Sequence, residues 1–240
     1  MFSRQKASLL LTLVSLLLLA GCGLLQPPPT PLPPPPEPTV QPDWTVVTLA
    51  GPGIRLALPP DWELLDLETK TPGPGLAAYL AEHPDLASRL QTQMENLAAA
   101  NVKLFALEVS PQTKAGGFNI NLNIVADNLT REITLSEYVD SSLKRLENME
   151  DLIRPISNRW VSLRAGIAAE IRFKVKRGEA DTTAVTQYIF MHGKLARVAT
   201  FVVPGEQIEA YYPAIIEPMI QSLEFIAPAA QATPSSADQR

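Results

Sequence analysis

Ten of the chain's 23 prolines fall between Pro27 and Pro42. Each proline removes a backbone donor and fixes φ, so this stretch joins neither a helix nor a sheet ladder and favours polyproline II. Any folded core must therefore be built on one side of it. At ~3.1 Å per residue the tract would reach roughly 50 Å as a semi-rigid spacer. A proline-rich ligand for a recognition domain is the other use of such a tract, but those partners are mainly intracellular.

What precedes the tract reads as an address. Arg4 and Lys6 come first, an apolar run follows from Leu9 to Ala20, and small residues close it. A basic start, an apolar centre and small residues before a cut site make a secretory signal. The apolar run is about a dozen residues, short of the ~20 that span a bilayer. Leu19-Ala20-Gly21-Cys22 resembles the bacterial lipobox. That resemblance implies cleavage before Cys22 and a diacylglyceryl group on its sulfur, with residues 1–21 as signal peptide and 22–43 as lipidated cysteine and tether. Acyl chains of the palmitate class bury about 0.8 kcal/mol per CH₂, and stable anchoring takes two. The expected location is the extracytoplasmic face of a cell membrane. The rival reading, an uncleaved span from Leu9 to Leu25, is interrupted by Gly21, Cys22 and Gly23.

Cys22 is also the only cysteine. With it acylated, the remainder has no thiol for a disulfide, a zinc–thiolate site or a nucleophile. Cleavage removes Arg4 and Lys6 and no acid, so it makes the formal net charge of −5 more negative by two. Such an acidic chain has no electrostatic footprint for nucleic acid. The segment 44–226, roughly 180 residues, is long enough for one domain held by an apolar core. Residues 227–240 are small, polar and proline-containing, and read as a disordered tail.

Within 44–226, strands are expected at Trp44–Leu49 and Ile54–Leu58, with Trp62–Leu67 extended. A short helix is expected at Leu76–Glu82 and another from Pro84 to about Asn101. Strands follow at Lys103–Val109 and Phe118–Ala126. In the second, Phe118, Ile120, Leu122 and Ile124 alternate with Asn119, Asn121 and Asn123, the period of a strand with two unlike faces. Thr134-Leu135-Ser136-Glu137 is a capping-box pattern. It opens a helix with the stripe Leu135, Tyr138, Val139, Leu143, Leu146 and Met149. A meander is expected at Arg154–Leu163, Ile167–Lys176, Thr183–Met191 and Leu195–Val203, turning at Arg164-Ala165-Gly166, near Gly178 and at His192-Gly193. The last two strands carry few charges and belong at the sheet centre. A helix over Gln207–Ser222 should kink at Pro213 and Pro218, before a short closing strand at Leu223–Ile226. Hairpins with interspersed helices argue an α+β fold with a mainly antiparallel sheet flanked by helices.

Several short motifs occur in a recognisable order. They are Leu58-Pro59-Pro60-Asp61-Trp62, Asn119-Ile120-Asn121 ahead of Leu135-Ser136-Glu137-Tyr138-Val139, Ala165-Gly166, Gln187-Tyr188, Tyr212-Pro213 and Ser222-Leu223-Glu224-Phe225. Together they resemble the PsbP/Mog-like superfamily, including envelope lipoproteins of the DcrB and LpqN types. The resemblance spans roughly 44–226 and implies an α-β-α sandwich around an antiparallel sheet. The helical segment Leu76–Ala100 departs from the smallest members. The superfamily shares a fold and no common chemistry, so no activity is implied.

Catalytic patterns are sparse. His83 and His192 have no partner at ligand spacing. Neither a Gly-x-Ser-x-Gly elbow nor a glycine-rich phosphate loop occurs. The acids Glu147, Glu150 and Asp151, and Glu206 with Glu209, read as helix ends in solvent. No catalytic residue, cofactor or metal is expected. Two surfaces are candidates for interaction. One is the basic stripe Arg172, Lys174 and Lys176 extended by Arg177, suited to an acidic partner or anionic headgroups. The other is the row Asn119, Asn121 and Asn123, suited to a sugar or a peptide edge. The expected function is a non-enzymatic, membrane-anchored lipoprotein presenting an interaction domain to an envelope protein. The alternatives are a small-ligand or lipid binder using a cleft between sheet and helices, and a hydrolase.

Overall fold

The computed structural model describes residues 34, 41–65, 67, 72–84, 87, 88, 91, 95, 97, 99–111, 113, 120–177 and 181–226. Cys22, the proline tract apart from three of its residues, Asn119 and the C-terminal tail lie outside these.

Alternating apolar residues build the strands. In chain order they are β1 (Thr45–Leu49), β2 (Ile54–Leu58), β3 (Trp62–Leu65), β4 (Val102–Glu108), β5 (Asn121–Asn128), β6 (Leu152–Leu163), β7 (Gly166–Lys176), β8 (Thr182–His192), β9 (Leu195–Pro204) and β10 (Glu224–Phe225). Seven of them form one antiparallel sheet in the order β3-β4-β5-β9-β8-β7-β6, and β1-β2-β10 form a second. The class is α+β. As the charge-poor sequences of β8 and β9 require, these strands are interior and β6 is an edge.

The helices are α1 (Pro74–Glu82), α2 (Leu135–Glu147), α3 (Ile208–Tyr211) and α4 (Glu217–Ser222), with a π-turn over Tyr212–Ile216 joining the last two. Residues 84, 87, 88, 91, 95, 97 and 99 are also helical. Asn101 ends that stretch at φ +58°, the left-handed stop that Asn tolerates better than most residues. Thr134 and Glu137 make the reciprocal capping box of α2. Pro213 leaves a backbone acceptor unserved, and the wider π-turn accommodates it.

Each face of the large sheet has its own cover. On one face Leu104, Leu122, Ile124, Tyr188, Phe190 and Phe201 pack with Ile54 and Leu56 of the small sheet and with Ile216, Met219 and Ile220 of the C-terminal helices. On the other, Phe105 and Leu107 pack with Leu76 and Leu80 of α1. Farther along that face, Ile171, Phe173 and Ile189 pack with Tyr138, Val139 and Leu146 of α2. The sandwich thus has a three-stranded sheet as part of one outer layer.

The run Pro72-Gly73-Pro74-Gly75 is explained by Glu63 on β3. Its carboxylate accepts from the Leu76 backbone N–H at 3.0 Å, one of the orphan donors at the start of α1. A Cβ on Gly73 or Gly75 would run into that carboxylate. These glycines clear space for a side-chain cap.

Candidate functional site

Hairpin geometry brings together the most elaborate polar cluster among the described residues. The turn at Arg164-Ala165 pairs Leu163 with Gly166, so counting back along both strands sets Arg159 opposite Glu170. On its other side Glu170 faces Tyr188 of β8. Arg172 shares its face two residues along β7, and the C-terminal helices lower Tyr212 onto all of them.

Glu170 is 2 % exposed, so its charge needs partners. It has them. Arg159 Nε donates to Oε1 and its Nη2 to Oε2, both at 3.0 Å, a bidentate fork. Arg172 Nε donates to Oε1. The Tyr212 hydroxyl donates to Oε2 at 2.8 Å. That spends the hydroxyl's only hydrogen, so across the 3.0 Å Tyr188–Tyr212 contact it is Tyr188 that donates. The Arg172 guanidinium lies 3.6 Å from the centre of the Tyr212 ring, within cation–π range.

These contacts push every group away from neutral pH. Burial raises the Glu170 carboxyl, but the hydrogen bonds from Arg159, Arg172 and Tyr212 outweigh it and hold it below the ordinary value. The Arg159 guanidinium is raised, chiefly by its bond to Glu170. Burial pushes both Tyr188 and Tyr212 up. An acid or base works best near the operating pH; here the carboxylate stays ionised, the arginines charged and the phenols neutral. The cluster is a structural clamp joining β6, β7, β8 and the π-turn.

The clamp changes the basic stripe. Arg172 turns to Glu170, and Lys174 Nζ donates to the Gly205 carbonyl at 3.2 Å. Lys176 and Arg177 are exposed. Asn121 and Asn123 are half-buried on the face shared by α1 and α2. Asn123 pairs across β9 with Thr200, which accepts from Gln187 at 3.3 Å. This polar strip lies between the two apolar clusters of that face. Glu147, Glu150, Asp151, Glu206 and Glu209 are exposed. His83 ends α1, its ring stacked 4.0 Å from Tyr79 and its Nδ1 2.9 Å from the Tyr79 carbonyl, so it is fixed within the fold rather than simply exposed. His192 sits edge-on to Phe225 at 6.4 Å. Among the described residues no group of His, Cys, Asp and Glu is placed to hold a metal.

A depression of about 330 Å³ lies beside α2, lined by residues that include Tyr138, Arg145, Leu146, Met149, Ile189 and Val198. Four large apolar side chains are exposed among the described residues: Ile167 (56 %), Val46 (48 %), Trp160 (45 %) and Met149 (43 %). Trp160 and Ile167 are diagonal neighbours on one face of β6 and β7, since Trp160 pairs with Ala169 and Ser162 with Ile167.

Sequence reasoning singles out none of Glu170, Arg159 and Trp160, and gives Tyr212 only as part of the Tyr212-Pro213 motif. The Arg164–Gly166 turn carried the register that sets Arg159 against Glu170; nothing local pointed to Tyr212.

No protein-family model matches this chain. No curated protein matches it either. Among solved structures, it is similar to cyanobacterial PsbP from Synechocystis sp. PCC 6803, with TM-score 0.46, 9 % identity and coverage of 76 % of this chain and 92 % of that one. It is similar to LpqN, described as involved in cell envelope biogenesis of Mycobacterium tuberculosis, with TM-score 0.43, 15 % identity and coverage of 77 % and 91 %. It is also similar to the Ran-binding protein Mog1p of Saccharomyces cerevisiae, with TM-score 0.42, 11 % identity and coverage of 76 % and 95 %. These are proteins of the groups that the motif order resembles. At such identities no activity transfers.

Proposed function

We propose that this protein is a membrane-anchored extracytoplasmic lipoprotein whose domain works by presenting a surface to an envelope protein and carries out no chemistry of its own. The observation that carries the reading is the contrast between a buried carboxylate with all its partners in place and an exposed apolar pair. The Glu170 cluster has its carboxylate held by three partners, with its titrations displaced from neutral pH. Trp160 and Ile167 instead spend apolar area in solvent, and exposed aromatic residues are typical anchors of protein interfaces. The Leu19-Ala20-Gly21-Cys22 motif and the proline tract support the anchor and its stand-off.

Two measurements test this. Cys22→Ser should move the protein from the membrane fraction to the soluble fraction; sedimentation with membranes after a high-salt wash would remove the anchoring argument. Crosslinking in intact cells followed by mass spectrometry should capture a defined envelope protein, and its failure to capture any would count against the interaction reading.

The depression beside α2 favours a second reading, a small amphipathic ligand held between Arg145 and the apolar residues Met149, Ile189 and Val198. Extraction of the purified protein with organic solvent and mass spectrometry of the extract would test it; an extract empty of stoichiometric ligand would weigh against it.

A further inference from the structure

The outer side of β6 is an open sheet edge. Among the described residues no strand pairs with it beyond β7. Natural edges are usually blunted by proline, bulges or charge. The first part of β6 is blunted in this way: it contains Arg154-Pro155, and its pairing with β7 is irregular between Ile153 and Ser157. From Ser157 to Leu163 the ladder to β7 is regular and, among the described residues, has no strand on its outer side, with Trp160 near its middle.

The two faces of this edge differ in chemistry. Trp160, Ser162 and Ile167 lie on the side that α2 covers farther in. Arg159 lies on the other side, above Glu170. β6 contains no carboxylate. The clamp sets two guanidinium groups against one carboxylate, so it keeps a net positive charge. Arg159 is the more solvated of the two, with 54 % of its side chain exposed. Its Nε and Nη2 are spent on Glu170 and Tyr212, while Nη1 finds no acceptor among the described residues. Successive residues of an added strand point to opposite faces. A strand laid along Ser157–Leu163 would therefore place alternate side chains against Trp160 and against Arg159.

We propose that the Ser157–Leu163 edge of β6 receives an extended segment of the partner protein by strand addition, and that this segment alternates apolar and acidic residues. The proposal deepens the interaction reading above and rests on it. Backbone bonds of the added strand supply affinity and the two faces supply selectivity. A second copy of β6 fits less well, because it would bring Arg159 of both copies to one seam with no carboxylate from either strand. Nor do residues 227–240 offer the alternation.

The test uses the full chain in detergent micelles and a twelve-residue peptide of alternating Val and Glu. Trp44 and Trp62 are buried at 8 % and 6 % exposure, so Trp160 reports the edge. The expected result is a saturable blue shift of tryptophan emission with the Val–Glu peptide. An alternating Val–Lys peptide, or a Val–Glu peptide interrupted by proline, should give none. By calorimetry, Trp160→Thr, which keeps strand propensity, should bind the Val–Glu peptide at least tenfold more weakly. No saturable response, or equal responses to all three peptides, would overturn the proposal. A concentration-dependent dimer that Trp160→Thr dissolves would also overturn it, by assigning the edge to a second copy. The in-cell capture separates this from the broader reading. Partners captured equally by wild type and Trp160→Thr would remove the edge and leave the interaction reading standing, whereas capture of nothing would remove that reading itself.

Discussion

Arg159 and Trp160 are neighbours on β6 and spend their side chains in opposite ways. Arg159 reaches across to a buried carboxylate and helps fasten the last strands to the C-terminal helices. Trp160, on the other face, is 45 % exposed. The period of a strand makes such a division available to any edge: one face can be tied to the fold and offer a partner only its leftover charge, while the other is wholly open. Substitution of Glu170, which anchors the tied face, should therefore be read in stability, and substitution of Trp160 on the open face in binding alone.

Four substitutions follow in descending order of their cost to stability; the first and last test that division, and the two between them, at helix starts, give the scale. Glu170→Ala should cost the most, about 3 kcal/mol, because it leaves two arginines and the Tyr212 hydroxyl without their acceptor. Urea unfolding would show it as a lower midpoint. An unchanged midpoint would mean that the clamp is no clamp. Gly75→Ala should cost about 1–2 kcal/mol by driving Glu63 from the start of α1, combining a lost cap with a steric shift. Thr134→Ala should cost about 1 kcal/mol by opening the capping box of α2. Trp160→Thr should lie within about 0.5 kcal/mol of wild type, as for a surface position.

Acidity sharpens the same contrast. The Glu170 carboxyl is held below its ordinary value of 4.5 in the folded protein. The folded state thus binds this proton less readily than the unfolded one, so stability rises with pH through this range. The contribution is complete above about pH 5 and is lost as pH falls below 4.5 through the folded value. Thermal unfolding from pH 7 to pH 3 should show a steep loss in wild type and a shallower one in Glu170→Gln. Parallel curves would remove Glu170 as the source.

What could be read from sequence follows the range of the interactions. The capping box, the Asn101 stop and the meander rest on residues close in sequence, and each is found in the structure. Pro213 and Pro218 foretold an interrupted C-terminal helix, and a π-turn interrupts it. The Glu170 clamp was missed because alternation along β7 groups Glu170 with Arg172, Lys174 and Lys176 as one polar face and is silent on what covers that face. The cover is Tyr212, 42 residues away. Likewise β10 was expected as a short strand, but its pairing with β2 across most of the domain has no local signal. Asn119 lies outside the described residues, whereas Asn121 and Asn123 form a half-buried strip rather than a bare row.

The most direct test of the account is capture of the envelope partner in intact cells, comparing wild type with Trp160→Thr at matched abundance and matched unfolding midpoint. Capture should be lost in the variant while its stability is unchanged. Undiminished capture by a stable Trp160→Thr protein would contradict it.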